Sequence, residues 1–249
     1  MVRSQPQRRA IVAGIGAAAL GLVAWRFGTQ SPTAAIPRAV HTFGDSILDC
    51  GRYNEFNVTP GQLIIRNDDR LFPEFRGRDL RTHAPVRLEH HARDGATVRS
   101  LAVQTQGIHA EEGAIALMTI GGNDLLSGLI ADSGAGINTF AQMLEDIVRA
   151  LPIRPVLLGN VYDPTFGDDS RNFLGVDAAL GRRNFQELNT VLAEIAGRYG
   201  HLIDLRAHFL TGDASWYTHT IEPSLRGASE VRRVFLQTIL HAHAGSSTI

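Results

Sequence analysis

Ser46 is the residue in this chain best placed by its neighbours to do chemistry. It ends the string His41-Thr42-Phe43-Gly44-Asp45-Ser46, in which apolar and aromatic residues run straight into a Gly-Asp turn. A serine hydroxyl delivered in this way can attack an ester carbonyl if one group takes its proton and others stabilise the oxyanion. Two islands downstream offer polar groups of the right kind. Gly95 sits in Arg93-Asp94-Gly95-Ala96-Thr97, and Gly121-Gly122-Asn123-Asp124 follows the apolar run Ile115–Ile120. Either island alone reads as an ordinary loop. Their order, each just after an apolar run, is what gives them weight.

The elements that must position these residues follow from periodicity. Short apolar strands are expected at Ala39–Phe43, Arg87–His91, Ile115–Ile120, Pro155–Asn160 and His201–Leu205. Helical spacing joins Phe140, Met143, Leu144, Ile147 and Val148, and again Phe185, Leu188, Leu192, Ile195 and Tyr199; a last helix is expected over Ser229–Leu240. Strands alternating with amphipathic helices predict an α/β fold with a parallel sheet covered on both faces. In such sheets ligands bind outside the carboxyl ends of the strands, where Ser46, Gly95 and Asn123 all fall.

At these residues the sequence resembles the GDSL, or SGNH, hydrolase family, over about Val40 to Leu240. The resemblance implies a three-layer α/β/α sandwich, flavodoxin-like, and hydrolysis of acyl esters through a serine acyl-enzyme. It also implies roles: Ser46 as nucleophile, with the oxyanion held by the Ser46 N–H, the Gly95 N–H and the Asn123 side chain. Physically, Gly95 would let a backbone N–H approach substrate without a Cβ in the way, and Asn123 supplies an amide donor. The family ends on Asp, two residues, then His-Pro. This chain reads His219-Thr220-Ile221-Glu222-Pro223 there, so Glu222 stands in the place of the family's histidine and His219 in that of its aspartate. Two arrangements follow. Either Glu222 is the base and His219 supports it, or the loop shifts, His219 becomes the base and Glu222 orients the ring. A carboxylate with an ordinary pKa lies about 2 below imidazole, roughly 3 kcal/mol, which favours the second, whereas the register favours the first. The missing Asp-x-x-His also leaves open a catalytically inactive, carbohydrate-binding relative. An α/β-hydrolase of the nucleophile-elbow type is disfavoured, because Ser46 lacks Gly-x-Ser-x-Gly.

Composition narrows the surroundings. The 249 residues fit one domain of about 200 residues plus an N-terminal extension. A net charge of -1 gives no basic face, so nucleic acid is not an expected partner. All 24 basic residues are arginine, a bias to which we attach no function. Cys50 is the only cysteine and is expected to pack as a small apolar side chain. His41, His83, His90, His91, His109, His201 and His208 read as surface or packed histidines, and none pairs with acids at metal-ligand spacing, so neither metal nor cofactor is expected. Asp68, Asp69, Asp168 and Asp169 read as solvated. The segment Asn67 to Arg78 fits either part of a substrate wall or a surface loop with two buried rings. Residues 1–37 read as an export signal or anchor with a linker: Arg3, Arg8 and Arg9 precede an uncharged, mostly apolar run from Ala10 to Trp25, and Gln7-Arg8-Arg9-Ala10 is similar to a twin-arginine signal. The expected location is therefore periplasmic or secreted, with membrane contact only through this segment, and the domain is expected over 38–249. Oligomeric state is not legible.

Overall fold

The computed structural model describes residues 35–244. Five short strands form one parallel sheet: β1 (Ala39–Gly44), β2 (Arg87–His90), β3 (Ala114–Thr119), β4 (Val156–Gly159) and β5 (Gly200–Ile203), in the order β2-β1-β3-β4-β5. Ala39 pairs with Arg87 on one side and Ala114 on the other, and Ala116 pairs with Val156. This order and the flanking helices make the expected flavodoxin-like α/β/α sandwich. The strands fall within two residues of their expected bounds. β5 stops short of Leu205 because the Asp204 side chain accepts a hydrogen bond from Ala207 N at 2.9 Å and starts a helix, α6 (Leu205–Phe209).

Alternation along each strand builds two cores, one per face. Phe43, Ala116, Met118 and Leu158 point to one, where they meet α4 (Gly136–Ala150) through Phe140, Leu144 and Val148 and α5 (Ala178–Tyr199) through Leu188 and Leu192. Val40, Leu117, Leu157 and Ile203 point to the other, against α1 (Pro60–Ile65) and α7 (Leu225–Ala244), which contributes Val231, Phe235 and Ile239. Each such fully buried side chain contributes roughly 1.5–3 kcal/mol by leaving water. α7 starts four residues before the expected Ser229, since the Ser224 hydroxyl accepts from Gly227 N at 3.1 Å and caps its first turn.

Three further helices carry weaker sequence signals. α1 opens on a reciprocal cap between Thr59 and Gln62 with Pro60 in its first turn, α2 (Val98–Gln104) on Thr97 and Ser100, and α3 (Gly122–Leu126) on Gly121. Asn67 to Arg78 is a loop with two buried rings: Phe72 and Phe75 flank Arg232, whose guanidinium lies 3.4 Å from the Phe75 centroid and 4.9 Å from that of Phe72. Arg232 is fully buried and donates from Nη1 to Asn67 Oδ1 at 2.9 Å; loss of water draws its pKa down to about 10. The expected export segment lies almost wholly outside the described residues.

Candidate active site

The strand order places β1 between β2 and β3, so loops leaving the carboxyl ends of three adjacent strands converge. Ser46 follows β1, Gly95 follows β2, and Asn123 lies in the first turn of α3, just after β3. A topological switch point of this kind opens a crevice between diverging connections.

β1 and β3 are joined tightly at their ends. Asp45 N donates to Thr119 O at 3.1 Å, Thr119 Oγ1 to Asp45 Oδ1 at 2.8 Å, and Ile47 N to the same oxygen at 3.2 Å. Gly44 makes this possible. Its φ is +116°, and a Cβ there would lie 1.7 Å from Thr119 O, so no other residue fits. Gln104 holds the Gly44 peptide from the other side, accepting from its N at 2.7 Å and donating to its O at 2.9 Å. Ser46 is thereby fixed, with only 8% of its surface exposed. Burial pushes the Asp45 carboxyl up to about 6, against the lowering effect of its two hydrogen bonds.

The loop carrying Gly95 is held from two sides. Asn123 Nδ2 donates to Ala96 O at 3.1 Å, and both Asp124 oxygens accept from Val98 N, at 3.2 and 3.1 Å. On the far side Asp49 Oδ2 accepts from Asp94 N at 2.9 Å, and Asp49 Oδ1 is bonded to His90 Nε2 at 3.2 Å. His90 Nδ1 in turn meets Thr42 Oγ1 at 2.7 Å. His90, expected as a surface or packed histidine, thus supports this loop together with Asp49 and Thr42, which nothing in their types or spacing sets apart. At Gly95 a Cβ would meet no protein atom within 4 Å, and its φ of +76° is one that favours glycine.

The last piece is a small hairpin, β6 (Tyr217–Thr218) paired antiparallel with β7 (Glu222–Pro223). Tyr162 Oη donates to Ile221 O at 2.6 Å and fixes the hairpin against the end of β4. The half-buried Glu222 carboxyl interacts with the Ser46 hydroxyl, and its Oε2 is buried with no protein partner of ordinary hydrogen-bond geometry. Loss of water raises the Glu222 pKa, the Ser46 hydroxyl lowers it, and the nearby Asp94 charge raises it again. Its net direction is upward, toward the range of a useful base. His219 sits differently. Its backbone is left-handed, with φ +46°, its side chain is exposed, and its ring packs edge-on against Tyr53 at 5.5 Å. It makes no hydrogen bond to Ser46 or Glu222 among the described residues, and acts on Glu222 through its charge alone. Tyr53 is itself anchored by its hydroxyl, which donates to Asp94 Oδ2 at 2.7 Å.

Beside Ser46 and Asn123 opens a cavity of about 140 Å³ that runs between the loop after β4 and the start of α5. Asp169, expected to be solvated, is tied into its wall: Arg182 bridges Asp169 and Asp163, each at 2.5 Å. Of the other histidines, His41 is bonded to His91 and Glu111, both at 3.3 Å, and His208 to Glu230 at 2.9 Å, while His83, His109 and His201 lie exposed at the surface. Cys50 is fully buried.

Among solved structures, the chain is similar to Axe2, an acetylxylan esterase from Geobacillus stearothermophilus, with a TM-score of 0.59 and 19% identity over 81% of this chain and 94% of that one. An enzyme from the metagenome of Lake Arreo, Spain, described as an alpha/beta hydrolase, gives 0.57 at 23% identity over 85% and 97% of the two chains. The acetyl xylan esterase AlAXEase gives 0.59 at 17% over 80% and 98%. At these identities the likeness is one of fold. No curated protein matches the sequence. The model of the GDSL-like lipase/acylhydrolase family matches residues 42–228, from within β1 to the first turn of α7 and so across every loop described above, and the chain belongs to that family of ester hydrolases.

Proposed function

We propose that the protein hydrolyses carboxylic esters with Ser46 as nucleophile and Glu222 as general base. The observation that carries this reading is the half-buried Glu222 carboxyl beside Ser46, its buried Oε2 without a hydrogen-bond partner and its pKa acted on by the Ser46 hydroxyl, while His219 packs on Tyr53. Ser46 Oγ attacks the ester carbonyl and its proton passes to Glu222. The oxyanion is held by the Ser46 and Gly95 backbone N–H groups and by Asn123 Nδ2, whose other hydrogen bond, to Ala96 O, sets its orientation. Glu222 then gives the proton to the leaving alkoxide, freeing the alcohol and leaving an acyl-serine. Water attacks the acyl-serine with Glu222 again accepting a proton, which returns to Ser46 Oγ as the acid departs. The upward displacement of the Glu222 pKa recovers part of what is lost when carboxylate replaces imidazole.

The substrate class is a small-molecule or carbohydrate ester, in keeping with the acetylated xylan named for two fold neighbours. Residues 1–37 support export to the periplasm or beyond. The test compares single variants on a p-nitrophenyl ester, with fluorophosphonate labelling of Ser46 as the check on the nucleophile. Glu222→Gln is expected to lower kcat by about 10²–10⁴, His219→Ala by about tenfold or less. The acidic limb of the pH profile should lie above the ordinary carboxylate range, because the base acts only when deprotonated and its pKa is raised. The reverse order of damage would make His219 the base, and an unlabelled Ser46 would overturn the assignment.

A further inference from the structure

The cavity beside Ser46 is the feature that the catalytic groups do not use. It begins at Ser46 and Asn123, where an acyl carbonyl must sit, and is walled by Leu125, Ile130, Val161, Val176 and Phe185. Two large apolar side chains stand at its mouth, Leu126 at 39% exposure and Phe173 at 47%. Its charged wall sets one cation against two carboxylates: Arg182 is held by Asp163 and Asp169, lies 5.7 Å from the Phe185 centroid, and has no charge left over for an anionic ligand. A volume near 140 Å³ is close to that of an apolar cavity that holds benzene, about 150 Å³. An acetyl group would leave most of this space unfilled.

Resting on the serine-esterase reading above, we infer that this cavity is the acyl site and that it selects a neutral, apolar acyl group of about six carbons over acetyl. The leaving alcohol then lies outside the cavity, on the polar side where Arg52 and Tyr53 both donate to Asp94 and Tyr53 meets His219. A carbohydrate alcohol suits that side, so the inference concerns the acid half of the ester. Each buried methylene is worth about fourfold in binding, so four further methylenes, part of their length remaining near the open mouth, give a preference on the order of 10².

The test is a series of p-nitrophenyl esters from acetyl to decanoyl, with benzoyl as an aromatic arm, each kcat/KM divided by the ester's own alkaline hydrolysis rate. The value is expected to climb by about 10² from acetyl to hexanoyl and to level or fall by decanoyl. A benzoyl rate above hexanoyl would define the site as one for a flat ring of the same size. Gly181→Leu projects into the cavity from α5, where even a Cβ would lie 3.2 Å from Val176 Cγ2 and 3.6 Å from Ile130 Cγ1. It should lower the hexanoyl-to-acetyl ratio at least tenfold. Ala178→Trp, entering from the exposed start of α5, is the second probe should the first fold poorly. Acetyl preferred over hexanoyl, or a series flat within threefold, overturns the inference and leaves the esterase reading intact. Hydrolysis of no ester overturns that reading, and the cavity is then judged by binding alone: 1-hexanol should raise the Tm of the native protein and not that of Ala178→Trp.

Discussion

Asp45→Asn offers the sharpest test of how the site is held. Asp45 is buried to 1% exposure beside Ser46, and its carboxyl is displaced from 3.8 to about 6. A raised carboxyl means that the folded state holds its proton more tightly than the unfolded state. The stability it confers is therefore full below pH 3.8 and lost as pH rises through about 6. The whole loss is about 3 kcal/mol, of which about 2 kcal/mol falls between pH 4.5 and 7.5. Asparagine never ionises, and its carbonyl oxygen can still accept from Ile47 N and Thr119 Oγ1. The stability of Asp45→Asn relative to the native protein should thus rise by about 2 kcal/mol from pH 4.5 to 7.5. Urea unfolding followed by fluorescence of the buried Trp216 measures it. Asp124, also raised to about 6, titrates in both proteins, so only its coupling to the Asp45 charge remains in the difference. If the two stabilities move in parallel to within about 0.5 kcal/mol, Asp45 titrates as it does in the unfolded chain and the burial argument is wrong.

Removing the amide donor in Asn123→Ala should reduce kcat by about 10²–10³ with a Tm within a few degrees of native, as expected for one oxyanion donor; a change under threefold would make Asn123 a loop residue. Gly44→Ala should give no folded protein on expression, because its Cβ meets the Thr119 backbone at 1.7 Å in a left-handed residue; a soluble variant with a native circular dichroism spectrum would contradict the close approach. Arg232→Ala leaves a void between Phe72 and Phe75 and an unpaired Asn67 Oδ1, at a cost of about 3–5 kcal/mol in chemical denaturation.

The centre of the sheet was legible because β1, β3 and β4 are short apolar runs flanked by polar turns, so β1 and β3 emerged almost to the residue. The helices were legible where they bury a stripe, as α4 and α5 do. The first turns of α5 were not, since Ala178-Ala179-Leu180-Gly181-Arg182-Arg183 carries no regular apolar spacing and only the Asp177 cap marks the start. Thr59-Pro60-Gly61-Gln62 did carry a readable cap for α1. The hairpin of β6 and β7 had no signal: two-residue strands show no alternation, and left-handed His219 and Thr220 are not glycines. At the site, the register anchored on Pro223 pointed to Glu222 as the partner of Ser46, where side-chain chemistry alone would have chosen His219. Nothing marked Asp45 as buried, because Gly-Asp-Ser reads as a turn.

That hairpin separates two problems that a catalytic loop usually solves together. Its position is set by main chain and by aromatic rings: the β6–β7 pairing, Ser224 N on Trp216 O at 3.0 Å, Tyr162 on Ile221 O, and Tyr53 against His219. The Glu222 side chain takes no part in any of these contacts. Backbone strain at His219 and Thr220, both with positive φ, is likewise confined to the turn and independent of what residue 222 carries. With Glu222 as the proposed base, the identity of the proton acceptor can therefore change without rebuilding the loop. In evolutionary terms, a histidine-bearing and a glutamate-bearing enzyme can be neighbours two substitutions apart on one scaffold, at residues 219 and 222, differing in working pH rather than in fold.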